Sequence, residues 1–275
     1  MTWTSFHTRV PGKWILAGEH AVLRGCVAIA LPHPTAALDF TFQPQVWDGL
    51  QVSPPSAQET IEALLEILGT SALRGQISIE STIALGAGLG SSAALCVALA
   101  QWWASQQPVT QTLDRIRELA RTLENHFHGQ SSGMDIAAVL AQQPIRFSRD
   151  QGATVIVPNK QQLFAFTFHD TGLRASTRDC IQHVEKWRAE NLSRAQFVDE
   201  QMAEASREAE LGLVAGERHS LINAFELSWK CFEEWGLLNT EIKAQAALLK
   251  SNGAYAVKLT GSGLGGFLVA LVDSK

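Results

Sequence analysis

The sequence has no Cys-x-x-Cys pair; its four cysteines, Cys26, Cys96, Cys180 and Cys231, stand far apart. This spacing offers neither a zinc framework nor a disulfide framework and suggests a reducing, cytoplasmic setting. No apolar run approaches the roughly 18 residues that a membrane-crossing helix needs. The stretch Met1 to Lys13 lacks an apolar h-region, so no signal peptide is expected. Internal repeats and low-complexity tracts are missing as well. Basic residues are not in excess: Lys+Arg number 22 against 27 for Asp+Glu, a net charge of −5. That balance argues against a nucleic-acid partner and leaves room only for a local basic pocket. The pattern G-x-x-x-x-G-K-[ST] is not present, which excludes a P-loop.

What is there suits a globular chain. At 275 residues, 46% hydrophobic and 18% charged, it can bury a core as one large domain or two small ones. The first third reads as strands. Trp14–Ala17 and Val27–Ala30 flank a polar turn carrying Gly18, Glu19, His20 and Gly25, and Ala37–Phe42 forms a further strand. Ser56 with Glu59 predicts a capping box ahead of a helix marked by Ile61, Leu64, Leu65 and Leu68 and stopped by Gly69. Ile77, Ile79, Ser81 and Ile83 alternate as in a half-buried strand.

Gly86-Ala-Gly-Leu-Gly-Ser-Ser92 then leads into an apolar helix through Trp103. Leu113, Ile116, Leu119, Ala120 and Leu123 predict an amphipathic helix. A polar break at Gly129–Gly133 precedes a helix from Met134 to Leu140. The texture changes beyond Pro144, which puts a soft domain boundary near residues 148–160. Phe164, Phe166 and Phe168 alternate as a strand. Thr177 to Lys250 reads as helical, with breaks near Leu192, Gly216 and Gly236–Leu238. Two last strands, Tyr255–Leu259 and Phe267–Val272, flank a second glycine cluster and are apolar enough to lie inside the second domain's sheet.

Both glycine clusters match G-x-G-x-x-[GA], but neither is a Rossmann turn. After Gly88–Ala93 the next 20 or so residues are helical, without the second strand and acidic residue of that fold, and Gly261–Gly266 leads into a strand. Between a strand and a helix, Gly86–Ser92 is either a phosphate cradle using backbone N–H groups and the positive helix end, or a tight turn whose serines cap the helix. In the first case Ser91 and Ser92 are placed to ligate a Mg²⁺ carried by a nucleotide.

Glu124 falls late in one helix and Asp135 opens the next. Two carboxylates joined through a glycine turn suit one metal and one proton transfer, or are ordinary helix-end acids. His126 and His128, two apart, point in different directions and read as surface or structural residues. Lys13 is either an exposed lysine or an ammonium beside an attacking hydroxyl. Asp170-Thr-Gly172 with Ser176 and Thr177 is either site-forming or a turn with a helix cap. The tryptophans, Trp102 and Trp103 among them, read as core or rim.

Together these segments resemble the GHMP kinase family over nearly the whole chain. Pro11 to Val22 resembles its first motif, Gly86 to Ala94 its phosphate loop, and Lys258 to Gly266 its third motif. The wording Gly18-Glu-His-Ala-Val22, the stretch Glu124–Asp135, and Asp170-Thr-Gly with Ser176-Thr177 are most similar to the mevalonate kinase branch. The resemblance implies an α+β fold in two domains: residues 1–155 like domain 2 of ribosomal protein S5, with residues 156–275 ferredoxin-like and the site between them.

It also implies transfer of the γ-phosphoryl group of ATP, with Mg²⁺, to the primary hydroxyl of mevalonate, an isoprenoid precursor. Asp135 would take the hydroxyl proton and Lys13 would stabilise its developing charge. Glu124 and Ser92 would hold Mg²⁺. Gly86, Ala87, Gly88, Leu89, Gly90, Ser91 and Ser92 would wrap the phosphates. Glu19, His20, Thr177 and Gly261 would face the substrate. No membrane or nucleic-acid partner is implied, and a homodimer is allowed. Rivals are another GHMP kinase, such as phosphomevalonate or homoserine kinase, and a non-catalytic sensor on the same fold. Three positions depart from the family pattern. Leu85 replaces a frequent proline and Leu264 a usual glycine. Ala175 stands where a basic residue is common, which makes Arg174 the nearest cation for a substrate carboxylate.

Overall fold

The computed structural model describes residues 3–45, 49–70, 73–128, 132–161 and 163–274. The chain divides into two compact units made of interleaved segments. The first comprises Met1–Gly12, His33–Ala84 and Gly90–Leu140; the second comprises Lys13–Pro32, Leu85–Leu89 and Ala141–Lys275. Strands β1 (Phe6–Ala17) and β2 (Ala28–Pro44) contribute to both.

In the first unit, β4 (Gly75–Ser81) lies between two partners. It pairs antiparallel with the C-terminal half of β2, Phe42 opposite Ile77, and parallel with β3 (Leu50–Ser53), Val52 opposite Ile77. The helices are α1 (Gln58–Ile67), α2 (Ser91–Ser105), α3 (Leu113–His128) and α4 (Met134–Ala141). Helix α2 is apolar on every side and is rich in alanine, as befits a helix enclosed by its own unit. Trp102 on α2 is fully buried against Trp3, Phe40 and Phe42, with ring centroids 5.5, 6.5 and 5.3 Å away. Each such buried Phe contributes roughly 1.5–3 kcal/mol.

The predicted capping box does not form. Pro54 leads into a 3₁₀ turn at Pro55–Ala57, so α1 starts at Gln58, one residue before Glu59, and Ala57 occupies the N-cap with no side-chain bond. Proline geometry overrides the local cap signal. Val27–Ala30 and Ala37–Phe42, read as separate strands, belong to one long strand from Ala28.

In the second unit, the first residues of β2 pair with β5 (Ile145–Ser148), which pairs with β6 (Gly152–Val155). A three-stranded antiparallel sheet runs β7 (Phe164–Asp170), β9 (Phe267–Asp273), β8 (Ala256–Thr260). Four helices, α5 (Thr177–Glu190), α6 (Leu192–Ala215), α7 (Arg218–Glu234) and α8 (Thr240–Ser251), follow β7 with breaks at the predicted places. Trp14 packs on Phe166 and Phe168, and Phe166 stacks on Phe225 of α7. No helix among the described residues is long and apolar enough to cross a membrane.

Candidate active site

The second unit gathers the first motif from Lys13 onward, the start of the phosphate loop and the third motif. From Gly12 onward every residue of β1 is buried, and Lys13 retains only 3% exposure. Its backbone N–H donates to the Leu89 carbonyl at 2.9 Å, which ties the strand to the glycine loop. Gly86 and Gly88 both take positive φ. The Thr171 N–H and hydroxyl both donate to the Gly266 carbonyl, at 2.9 and 2.8 Å, and the Gly266 N–H donates to Leu173. Asp170-Thr-Gly172 is therefore a brace for the third motif.

Glu19 and Lys258 form a buried ion pair at 2.5 Å, with side chains 1% and 0% exposed. Burial pushes the Glu19 carboxyl up and the Lys258 ammonium down, and the attraction between them opposes both shifts. His20 sits at φ +57 and is 6% exposed, with its ring edge-on to Phe232 and Trp235. Burial lowers its pKa to about 4, so the ring is neutral at pH 7. Nε2 lies 2.8 Å from the Ser262 carbonyl, which can only accept, so Nε2 carries the proton and Nδ1 is an acceptor. Thr177 is exposed at the start of α5, whose cap is Ser176. The Cys180 thiol, one turn on, donates to Gly263 at 3.5 Å and seats this helix end on the third motif.

Arg174 makes a bidentate pair with Asp170, both bonds 2.7 Å, which holds the Asp170 carboxyl below its usual range. Its Cδ lies 3.9 Å from where a Cβ on Gly86 would stand. Of the departures from the family pattern, Leu85 is 78% exposed, and Leu264 takes φ +58 while its N–H donates to the Leu237 carbonyl at 2.9 Å.

The first unit carries the rest. Gly90, at φ +76, is the N-cap of α2, so Ser91 and Ser92 are its first two helical residues and occupy no capping position. Glu124 on α3 is 2% exposed. Its charge adds to burial in raising the pKa of the Cys96 thiol, which lies one turn beyond Ser92 on the same face of α2. Asp135 is half-buried in the first turn of α4. Gly133, just before it, approaches Arg121 of α3, one turn ahead of Glu124: a Cβ there would stand 3.8 Å from Arg121 Cδ.

Among the described residues no three His, Cys, Asp or Glu side chains cluster as a protein-only metal site. A carboxylate and a hydroxyl nonetheless suit Mg²⁺, which keeps waters and takes phosphate oxygens to complete its shell. His126 is exposed and packs edge-on against Phe127; the break at residues 129–131 and the His128 side chain lie outside the described residues. The sequence marks Lys258 as the first residue of the third motif but gives its side chain no role. Its one signal is a lysine inside the apolar run Ala-Val-Lys-Leu of a strand.

The family model described as the GHMP kinases N-terminal domain matches residues 56–143, and the GHMP kinases C-terminal model matches residues 202–275. A mevalonate kinase of Aeropyrum pernix is 27% identical over 95% of this chain and 86% of its own length. One from Archaeoglobus fulgidus is 26% identical over 95% and 90%. The crystal structure of L. major mevalonate kinase in complex with R-mevalonate superposes with a TM-score of 0.84 at 24% identity, covering 99% of this chain and 88% of that one. With both family models matched in order across more than half of its residues, the chain belongs to the GHMP kinase family.

Proposed function

We propose that the protein is an alcohol kinase that transfers the γ-phosphoryl group of ATP to the primary hydroxyl of mevalonate. The observation that carries this reading is Lys13: an ammonium buried to 3% exposure, on a strand hydrogen-bonded through the same residue to the phosphate loop. A buried cation at that place suits a reaction in which negative charge builds on an attacking oxygen. The names of the relatives supply the acceptor.

In the proposed step the acceptor hydroxyl attacks the γ-phosphorus, the new O–P bond forms as the bond to the β-phosphate oxygen breaks, and ADP leaves. The hydroxyl proton passes to Asp135 and Lys13 stabilises the oxygen. Gly86 to Ser92 offer backbone N–H groups to the phosphates, with the N-terminus of α2 behind them. Glu124 and Ser92 would hold Mg²⁺, whose charge neutralises phosphate oxygens. Glu19, His20, Thr177 and Gly261 lie on the acceptor side. All four cysteines are free thiols, in keeping with a reducing cytoplasm. A homodimer belongs to the same reading and is read out by sedimentation.

The test is a panel of alcohols with ATP and Mg²⁺, followed by ADP release. Turnover is expected with mevalonate and not with homoserine, galactose or phosphomevalonate. Turnover with another member of the panel alone would reject the acceptor assignment, and no turnover with any would favour a sensor. Asp135→Asn, folded and still binding ATP, is expected to lose about 10²–10⁴-fold in kcat.

A further inference from the structure

All five residues of β8 are buried, and the Lys258 side chain is 0% exposed. A strand in that place is served well by apolar side chains, whereas a lysine must shed its water and recover the loss through hydrogen bonds. Lys258 Nζ donates to Glu19 Oε1 at 2.5 Å and to the Ile15 carbonyl at 3.1 Å, and lies 5.9 Å from the Phe232 ring centroid. Thr260, on the same face of β8, grips the same residue: its hydroxyl accepts the Ile15 N–H at 2.9 Å and donates to the Ile15 carbonyl at 3.1 Å. β8 thus holds β1 two residues beyond Lys13 and the turn after β1 at Glu19.

The ion pair uses only half of Glu19. Oε1 is taken by Lys258, while Oε2 is buried and accepts no hydrogen bond from any described residue. A buried carboxylate oxygen left unpaired is costly and rare, and a pair built for stability alone would engage both oxygens. The charged and titratable groups that act on Glu19 or feel its charge are Lys258 on β8, Lys13 on β1 and Cys231 on α7, and His20 is next in the chain.

We propose that Lys258 is a positioning residue for the acceptor substrate: it ties down Oε1 and keeps Glu19 a carboxylate, and so presents Oε2 as a buried acceptor for a hydroxyl hydrogen of the alcohol. The proposal rests on the reading of the chain as an alcohol kinase with Glu19 on the acceptor side.

The test is steady-state kinetics of Lys258→Met, Glu19→Gln and the double variant, with ATP, Mg²⁺ and mevalonate, across neutral and alkaline pH. Lys258→Met is expected to raise the acceptor KM about tenfold or more while the KM for ATP stays within about twofold. That defect should shrink as pH rises, because loss of the cation raises the buried Glu19 carboxyl further and higher pH restores its charge. The double variant should show the acceptor KM of Glu19→Gln and no such recovery, since Lys258 then has nothing to act through. In folded Lys258→Met, both KM values rising together, or an unchanged acceptor KM, overturns the proposal. So does a double variant that loses more than Glu19→Gln alone. If Lys258→Met does not fold, the double variant, which removes both charges, carries the test, and a wild-type acceptor KM there overturns the proposal. Wild-type protein that releases no ADP with mevalonate is a separate failure: it rejects the acceptor assignment, and the same variants are then compared on the alcohol that the panel selects.

Discussion

Gly88 and Gly261 meet backbone to backbone: a Cβ on Gly88 would stand 3.1 Å from Gly261 Cα, and one on Gly261 3.0 Å from Gly88 Cα. Both residues take positive φ, +77° and +96°. The phosphate loop and the third motif can approach this closely only without side chains. Gly88→Ala and Gly261→Ala are each expected to destabilise the protein by about 1–3 kcal/mol, through overpacking and left-handed strain. Because they fill the same gap, the double variant should depart from the sum of the singles by more than about 0.5 kcal/mol. Chemical unfolding measures both, and wild-type midpoints in the single variants would contradict the close approach.

Glu124 and Ser92 are expected to differ in what their loss does to the Mg²⁺ requirement. A carboxylate is the stronger ligand for a hard cation, so Glu124→Gln should raise the Mg²⁺ needed for half-maximal rate roughly tenfold or more, and Ser92→Ala by less. Calorimetric binding of ATP at several Mg²⁺ concentrations gives a second readout that does not depend on turnover. An unchanged requirement in both variants would remove them from the metal site.

The helices of the second unit were legible because their ends carry backbone signals, such as Gly216 at φ +74 after α6. The glycine loops were legible for the same reason. Strand β2 was not read as one strand, because Pro32 and Pro34 interrupt its pattern, yet extended backbone tolerates proline where no ladder N–H is needed. The strands β3, β5 and β6 have four residues each, too few to show a period. The sequence leaves Lys13 either exposed or beside a reacting hydroxyl and marks Lys258 only as part of the third motif. The burial of Lys258 depends on Ile15 and Glu19, far along the chain, and local pattern does not record such pairings.

Arg174 was the nearest cation to the expected carboxylate-binding position, but it lies beside Gly86 and is engaged by Asp170. Arg174→Ala is therefore expected to raise the KM for ATP by several-fold, more than the KM for mevalonate. Stability should change little: the side chains are 38% and 42% exposed, and such solvent-screened i,i+4 pairs contribute about 0.2–1 kcal/mol at most. A rise confined to the KM for mevalonate would instead place this guanidinium at the acceptor's carboxylate.

His20 should make the fold sensitive to acid. Its pKa in the folded protein is lowered to about 4 by burial, against 6.5 for an ordinary histidine. Between those values the unfolded chain binds a proton that the folded chain refuses, so stability rises with pH across that window. The contribution is fully present above about pH 6.5 and is lost as pH falls towards about 4, a total loss of about 3 kcal/mol. Asparagine tolerates positive φ and does not titrate. His20→Asn is therefore expected to lose less stability than the wild type when both are acidified from about pH 6.5 to about 4, as measured by chemical unfolding at a series of pH values. Parallel pH curves for the two proteins would show that His20 is not held neutral by its burial.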